Sequence, residues 1–463
     1  MGWQTDPMSW AQSMFGECQL PDRRLTRRLV HTMGHLARAG GGSLNRACAA
    51  DAAALQGGYR LVRNTQMSIS AMNEAGFAAA AQRIEPRNRI LAIEDSSELS
   101  YTHSVAEELG DVGGARGSPL RGLWAHNTLM VDAENGLTLG LIAQTLWSRQ
   151  GERGKAARRK SKGPEEKESA KWMRHAQQMR ERLGARMQQV ITVSDRESDI
   201  FVYLLDKCQH GERFIVRAAQ DRALFEGEGC LSQSLLSAPQ CGQVQVSVPQ
   251  RGGRPQRIAR LTLRAQALEL AAPRRKGIDP EDSVAVNAIL AQEEGTVAGT
   301  RLCWVLLTSE PIETPEQIQE ALKFYGMRWR IEDFHKAWKS GAQVERLRMH
   351  SRENLERMIV MLAFIAVRLL QLREVLDHPE AEQRACTEVL SEAEWKVLWV
   401  SSTGRAAPPP KVPTLRWAYQ AVAKLGHFTD SKHTGRASWA AMYEGWKRLQ
   451  DHVALLSAVD KIP

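Results

Sequence analysis

Apolar residues recur at three- and four-residue intervals from Met8 to about Asn64, through MSWAQSMF, RRLTRRLVHTMGHLARAG and RACAADAAALQGGYRLVRN. This spacing predicts a group of short helices. They carry Arg23, Arg24, Arg27, Arg28, Arg60 and Arg63, which fits either a DNA-binding module or a solvated basic face. Near residue 70 the period changes. ILAIED (90–95) predicts a strand, and HNTLMVDA (126–133) with LTLGLIAQTLW (137–147) predicts a hairpin turning at Glu134, Asn135 and Gly136. A polar helix, EEKESAKWMRHAQQMRERLGA, leads to a further strand, QQVITVSD, ending at Asp195. Strand, hairpin, helix, strand implies a mixed α/β layer with acids at strand ends.

From Arg213 to Ser309 the chain alternates as half-exposed strands do: RFIVRA, QVQVSVPQ, RIARLTLRAQALEL, VAVNAILAQE and RLCWVLLTS. An antiparallel β insertion is the expectation. Beyond Thr314 the pattern is helical, interrupted by the Pro-rich joint RAAPPPKVP (405–413).

A length of 463 residues suggests about three folding units. With 43% hydrophobic and 25% charged residues, the chain can bury a core without metal or disulfide staples, which excludes wholesale disorder. The net charge of +9 favours a polyanionic partner. Part of that charge lies in RQGERGKAARRKSKG (149–163), with seven cations, one acid and no apolar anchor, a loop suited to tracking a phosphate backbone or simply to solubility. Seven cysteines without a CxxC pair argue against zinc ribbons and a disulfide framework. The opening MGWQTDPMSW lacks the features of a signal peptide, and the longest apolar run, Met358 to Val367, is too short to span a bilayer. A cytoplasmic protein with no membrane partner is expected.

The candidate chemistry concentrates in YGMRWRIEDFHKAWK (325–339). On one helix, Tyr325, Arg328, Glu332 and Lys339 would fall within roughly 60° of one another, a stripe of one acid, two cations and a phenol. Arg328 and Glu332 could equally be an ordinary supporting pair on an exposed helix. Asp95 and Asp195, at strand ends, change the weighing. Phosphodiester chemistry needs about three carboxylates converging on two Mg²⁺ ions, and two strand ends with one helix can supply them. Each acid has a duller reading: Asp195 could cap a helix near Glu197, Asp95 could begin an Asx turn with Ser96 and Ser97, and Glu94 rivals Asp95. His31 and His35, four apart on a helix, lack a third ligand and read as surface histidines.

The segments IEDSSELSYTHSVAEELG, VSDRESDIFVYLLDK, GERFIVR, WVLLTSEP and above all YGMRWRIEDFHKAWKSGAQVERLRM resemble the Tn-five (IS-four type) family of bacterial DDE cut-and-paste transposases. The likeness runs from the first helices to SKHTGRASWAAMYEGW, nearly the whole chain. It implies an α/β fold: a ribonuclease H-like mixed-sheet catalytic core with an antiparallel β insertion, flanked by helical N- and C-terminal domains. The implied divisions are a DNA-binding domain over 1–70, a catalytic domain over 71–375 with its insertion at about 219–300, and a dimerisation domain over 376–463.

By this resemblance Asp95, Asp195 and Glu332 form the catalytic metal triad for two Mg²⁺ ions, with Mn²⁺ able to substitute. Tyr325, Arg328, Lys336, Lys339 and Arg217 contact phosphates, and Trp304 stacks on a flipped base. Arg348, Asn354, Arg60 and Arg63 are further DNA contacts. The partners implied are double-stranded transposon ends, target DNA and a second copy of the chain, in a bacterial, nucleoid-associated setting. Excision would pass through a DNA hairpin before the 3′ ends join target DNA. The family's Thr pair is Ser96 and Ser97 here, and its second Glu is Asp333. Three rival readings share some of these residues: a metal nuclease without strand transfer, a DNA-binding regulator with idle acids, and a carboxylate-pair glycosidase that leaves the Arg and Lys stripe without a role.

Overall fold

The computed structural model describes residues 6–459 apart from 87, 116–117, 150–167, 226, 228, 249–256, 276, 296–300 and 430–435. Nearly all of the basic stretch at 149–163 therefore lies outside the described residues.

The chain begins with helices α1 (Pro7–Phe15), α2 (Arg23–Ala39), α3 (Leu44–Ala47), α4 (Ala52–Arg63) and α5 (Ile69–Ala81). Their ends follow local chemistry. Asp6, Asp22, Ser43, Asp51 and Ser68 each accept a backbone N–H as N-cap, and α2 stops at Gly40, whose φ of 69° is left-handed.

Next come strands β1 (Ile90–Tyr101), β2 (Gly110–Ala115), β3 (Ser118–Asp132) and β4 (Thr138–Trp147), then α6 (Ala170–Leu183), β5 (Val190–Ser194), α7 (Phe201–Gln209) and β6 (Arg213–Arg217). After α8 (Leu231–Ser237), strands β7 (Gln240–Val248), β8 (Arg257–Ala271), β9 (Ser283–Glu293) and β10 (Cys303–Thr308) follow. The remainder is helical: α9 (Pro315–Gly326), α10 (Trp329–Lys336), α11 (Arg352–Leu376), α12 (Glu392–Thr403), α13 (Leu415–Leu425) and α14 (Trp439–Val459).

All ten strands form one mixed sheet in the order β2-β3-β1-β5-β6-β10-β9-β8-β7, with β4 also on β3. β1 is antiparallel to β3 on one side and parallel to β5 on the other, and β5 is parallel to β6. Antiparallel pairs leading into parallel ones, with helices on both faces, are consistent with the ribonuclease H-like core expected. The apolar runs of β1 and β5 follow from this position: Ile90 to Glu94 and Val190 to Ser194 are buried without alternation, as in strands covered on both faces. The long strands β7, β8 and β9 continue the same sheet through β10 and alternate in burial.

The largest hydrophobic cluster joins the first helices to the sheet and to α11: Phe15, Leu36, Phe77, Ile93, Phe334 and Phe364 all belong to it. Contact between α5 and α11 is close enough that a Cβ at Gly76 would lie 2.2 Å from the Phe364 ring. Arg357 of α11 donates to the carbonyls of Val62 at 2.9 Å and Met67 at 3.1 Å. A separate cluster gathers the end of α11 with α12, α13 and α14, and a third lies among α6, α7, α8 and the outer strands. No described helix is long and apolar enough to cross a membrane.

Candidate active site

Neighbouring parallel strands deliver two of the predicted acids to one level. Glu94 pairs in register with Ser194, so Asp95 and Asp195 are each the next residue on adjacent strands. β1 runs on, whereas β5 ends and turns into a 3-10 turn over Arg196–Ser198, with Asp195 as its cap accepting from the Glu197 N–H at 2.9 Å. Asp95 accepts from the Ser96 N–H at 2.7 Å. The cap considered for Asp195 is thus present, whereas Asp95 lies inside β1 rather than at its end and begins no Asx turn, since Ser96 and Ser97 continue the strand; both carboxylates keep lone pairs for other partners.

Glu332 arrives from α10. The Arg328 guanidinium spans the gap, 3.4 Å from Asp95 Oδ2 and 2.7 Å from Glu332 Oε1. Burial, and after it the neighbouring charge of Asp195, pushes the Asp95 carboxyl up to about 6. Arg328 thus links Asp95 to Glu332, and the charge of Asp195 is felt at Asp95. An all-oxygen carboxylate set with repelling charges suits a hard divalent cation such as Mg²⁺ and disfavours softer metals.

Strand alternation puts the rivals Glu94 and Asp95 on opposite faces of β1. Asp95 pairs with Asn127 on the face covered by α10, where Asn127 Nδ2 lies 3.1 Å from His335 Nε2. Glu94 pairs with Thr128 on the opposite face and accepts from the Tyr203 hydroxyl of α7 at 2.9 Å. Fully buried there, its carboxyl is pushed up to about 7 by desolvation.

The expectation of one helix bearing Tyr325, Arg328, Glu332 and Lys339 is corrected. Tyr325 belongs to α9, which ends at Gly326; Glu332 belongs to α10, and Lys339 to a π-helical turn over Ala337–Gly341. Arg328 sits at the junction, where Arg330 and Ile331 donate three residues back to Met327 and Arg328. This break lets the guanidinium swing toward β1 while Glu332 stays on the helix. Periodicity alone could not reveal it, since the dihedrals of Arg328 remain right-handed helical.

The other predicted contacts distribute unevenly. Tyr325 is buried with its ring 5.8 Å from that of half-buried Trp304 on β10. Arg217, ending β6, donates to the Cys303 carbonyl at 3.1 Å. Lys336 is exposed, Lys339 half-exposed and Arg348 exposed, all beyond Glu332 in sequence. Asn354 accepts from Arg357 in the first turn of α11. Arg60 and Arg63 lie exposed at the end of α4, away from the acids in sequence and element. His31 is exposed, His35 is half-buried, and no third ligand joins them among the described residues.

One neighbour of the acids was missed. Lys171 of α6, its side chain 9% exposed, donates to Ser96 Oγ at 2.7 Å and lies 3.4 Å from Glu197 Oε2. Trp147 and Trp172 flank its ammonium at 5.4 and 5.3 Å. It thereby touches the residue after Asp95 and the second residue after Asp195. The pair Lys171–Trp172 in an otherwise polar helix was the available signal.

Comparison with known families gives two matches. Residues 7–67 match the model described as Transposase DNA-binding, and residues 146–368 match the one described as Transposase DDE domain. The first spans α1 to α4, and the second runs from the end of β4 into α11, taking in Asp195 and Glu332.

Proposed function

Taking the chain as a DNA transposase of the DDE family, as its two matched domains support, we propose that Asp95, Asp195 and Glu332 are its catalytic carboxylates in a cut-and-paste reaction of the Tn-five type. The observation carrying this reading is the Arg328 bridge between Asp95 and Glu332, with Asp195 close enough to raise the Asp95 carboxyl. The three carboxylates would hold two Mg²⁺ ions, with Mn²⁺ as substitute; when bound, such ions lower the pKa of water and polarise the scissile phosphate.

The chain's own groups orient the DNA. Arg328 is shared between two carboxylates, so its fork is already placed to donate bidentately to a phosphate when the acids find other partners. Lys336, Lys339, Arg217 and Arg348 supply backbone charge, and Asn354 adds a polar contact. Tyr325 and Trp304 form an aromatic pair beside them, suited to hold a base that has left the stack. Hydrolysis frees a 3′ hydroxyl at the transposon end. That hydroxyl attacks the opposite strand, displacing the flanking 3′ oxygen and leaving a hairpin. A second water opens the hairpin, and the same hydroxyl then displaces a 3′ oxygen in target DNA.

Residues 1–70, with Arg60 and Arg63, would bind the ends, 71–375 would perform catalysis and 376–463 would join two copies in a homodimer working on nucleoid DNA in a bacterial cytoplasm. Incubation with flanking inverted repeats and Mg²⁺, followed on denaturing gels, should give nicked, hairpin and joined species. Asp195→Ala should retain end binding and lose all three; cleavage surviving in that variant would overturn the triad. A pre-cut end that is never joined to a plasmid would favour the nuclease reading instead.

A further inference from the structure

On the opposite face of β1 from Asp95, Glu94, His126 and His175 each offer a ligand atom, and these atoms lie within 4.8 Å of one another. All three residues are fully buried. His126 Nδ1 is 3.0 Å from Ser96 Oγ, whereas its Nε2 has no hydrogen-bond partner. A buried imidazole nitrogen without a partner is destabilising, so the fold gains if something occupies it.

The surroundings already have the form of an outer coordination shell. Ser96 Oγ holds one nitrogen of His126, Thr128 Oγ1 lies 2.8 Å from His175 Nδ1, and the Tyr203 hydroxyl holds Glu94 Oε2. Thr128 also donates to Glu94 Oε1 at 3.3 Å, so it accepts from His175 Nδ1–H and leaves Nε2 of His175 as the lone-pair nitrogen. That nitrogen now faces the Thr145 hydroxyl at 3.0 Å, which can rotate away or remain as a fourth oxygen. Ligating histidines commonly have their second nitrogen fixed in this way.

We propose that Glu94, His126 and His175 form a structural site for a zinc-type divalent cation, separate from the carboxylate triad and behind it on β1. Two imidazoles and one carboxylate suit Zn²⁺ or Co²⁺ and exclude Mg²⁺, which demands oxygen ligands. The cation would tie α6 to β1 and β3, the strands that carry Asp95 and Asn127. Its burial means that it enters during folding. The proposal does not rest on the transposase reading.

The test uses untagged full-length protein expressed in zinc-supplemented medium, desalted through a mild chelator and assayed by metal mass spectrometry. Wild type and Asp195→Ala should each retain about one zinc per chain. His175→Gln, whose amide keeps the shape and the Thr128 hydrogen bond, should lose zinc by about tenfold or more. Protein grown with cobalt should show the visible absorption of a four-coordinate ion, a readout that does not depend on any variant folding. Zinc near zero in wild type, zinc unchanged in His175→Gln, zinc lost in Asp195→Ala, or no cobalt absorption would each overturn the site. DNA cleavage enters none of these measurements, so failure here leaves the triad reading untouched.

Discussion

Asp95 titrates near 6 because its ionised form is poorly solvated and stands beside Asp195. The ordinary value is 3.8, so its neutral form stabilises the fold below about pH 4, and that contribution disappears as pH rises through about 6. A divalent cation held by Asp95, as proposed, would cancel the penalty where it is largest. The Tm gain from saturating Mg²⁺ should therefore be small at about pH 5 and grow toward about pH 7.5, and Asp95→Asn should abolish the growth in a thermal-shift titration. A gain independent of pH in wild type would contradict this assignment. For Arg328, truncation to Ala should cut cleavage by about a hundredfold, in the range seen for removing one preorganised charge-stabilising donor, measured as single-turnover nicking.

Among the elements, α13 and α14 cross at two glycines. A Cβ at Gly426 would lie 1.8 Å from the Ala441 carbonyl oxygen, and one at Gly445 would lie 1.8 Å from that of Val422. Backbone meets backbone there, so no rotamer change relieves the clash. Gly445→Ala should destabilise the carboxy-terminal helices by about 1–3 kcal/mol or more, read by chemical denaturation.

Legibility in the sequence also divides by element. The hairpin of β3 and β4 was plain because short aliphatic-rich runs flank a Glu-Asn-Gly turn, and the positions of β1 and β5 could be read from their unbroken aliphatic stretches. Two features could not be read. The break at Arg328 leaves no mark in apolar spacing, because a three-residue hydrogen-bond turn keeps the helical hand. Lys171 lies about 75 residues from Ser96 in sequence, and only the path of α6 across the sheet brings them together.

At the scale of the whole molecule, the first helices share a hydrophobic cluster with the sheet, while the carboxy-terminal helices have their own apart from Trp439 and Tyr443 of α14, which join the first. Heating should thus melt α12 and α13 before the remainder, visible as a minor early calorimetric transition followed by a major one. Arg357→Leu should strike the joint between α4 and α11, stranding the carbonyls of Val62 and Met67 at about 1–3 kcal/mol for each one left dry. Its expected signature is loss of stability in the major transition with the minor one unmoved. The close meeting of Gly76 with Phe364 bears on any attempt to retarget the protein. Grafting the opening helices of a relative onto this chain would import a foreign surface against α11, so a chimera that hopes to read new DNA must exchange the facing side chains of both partners together.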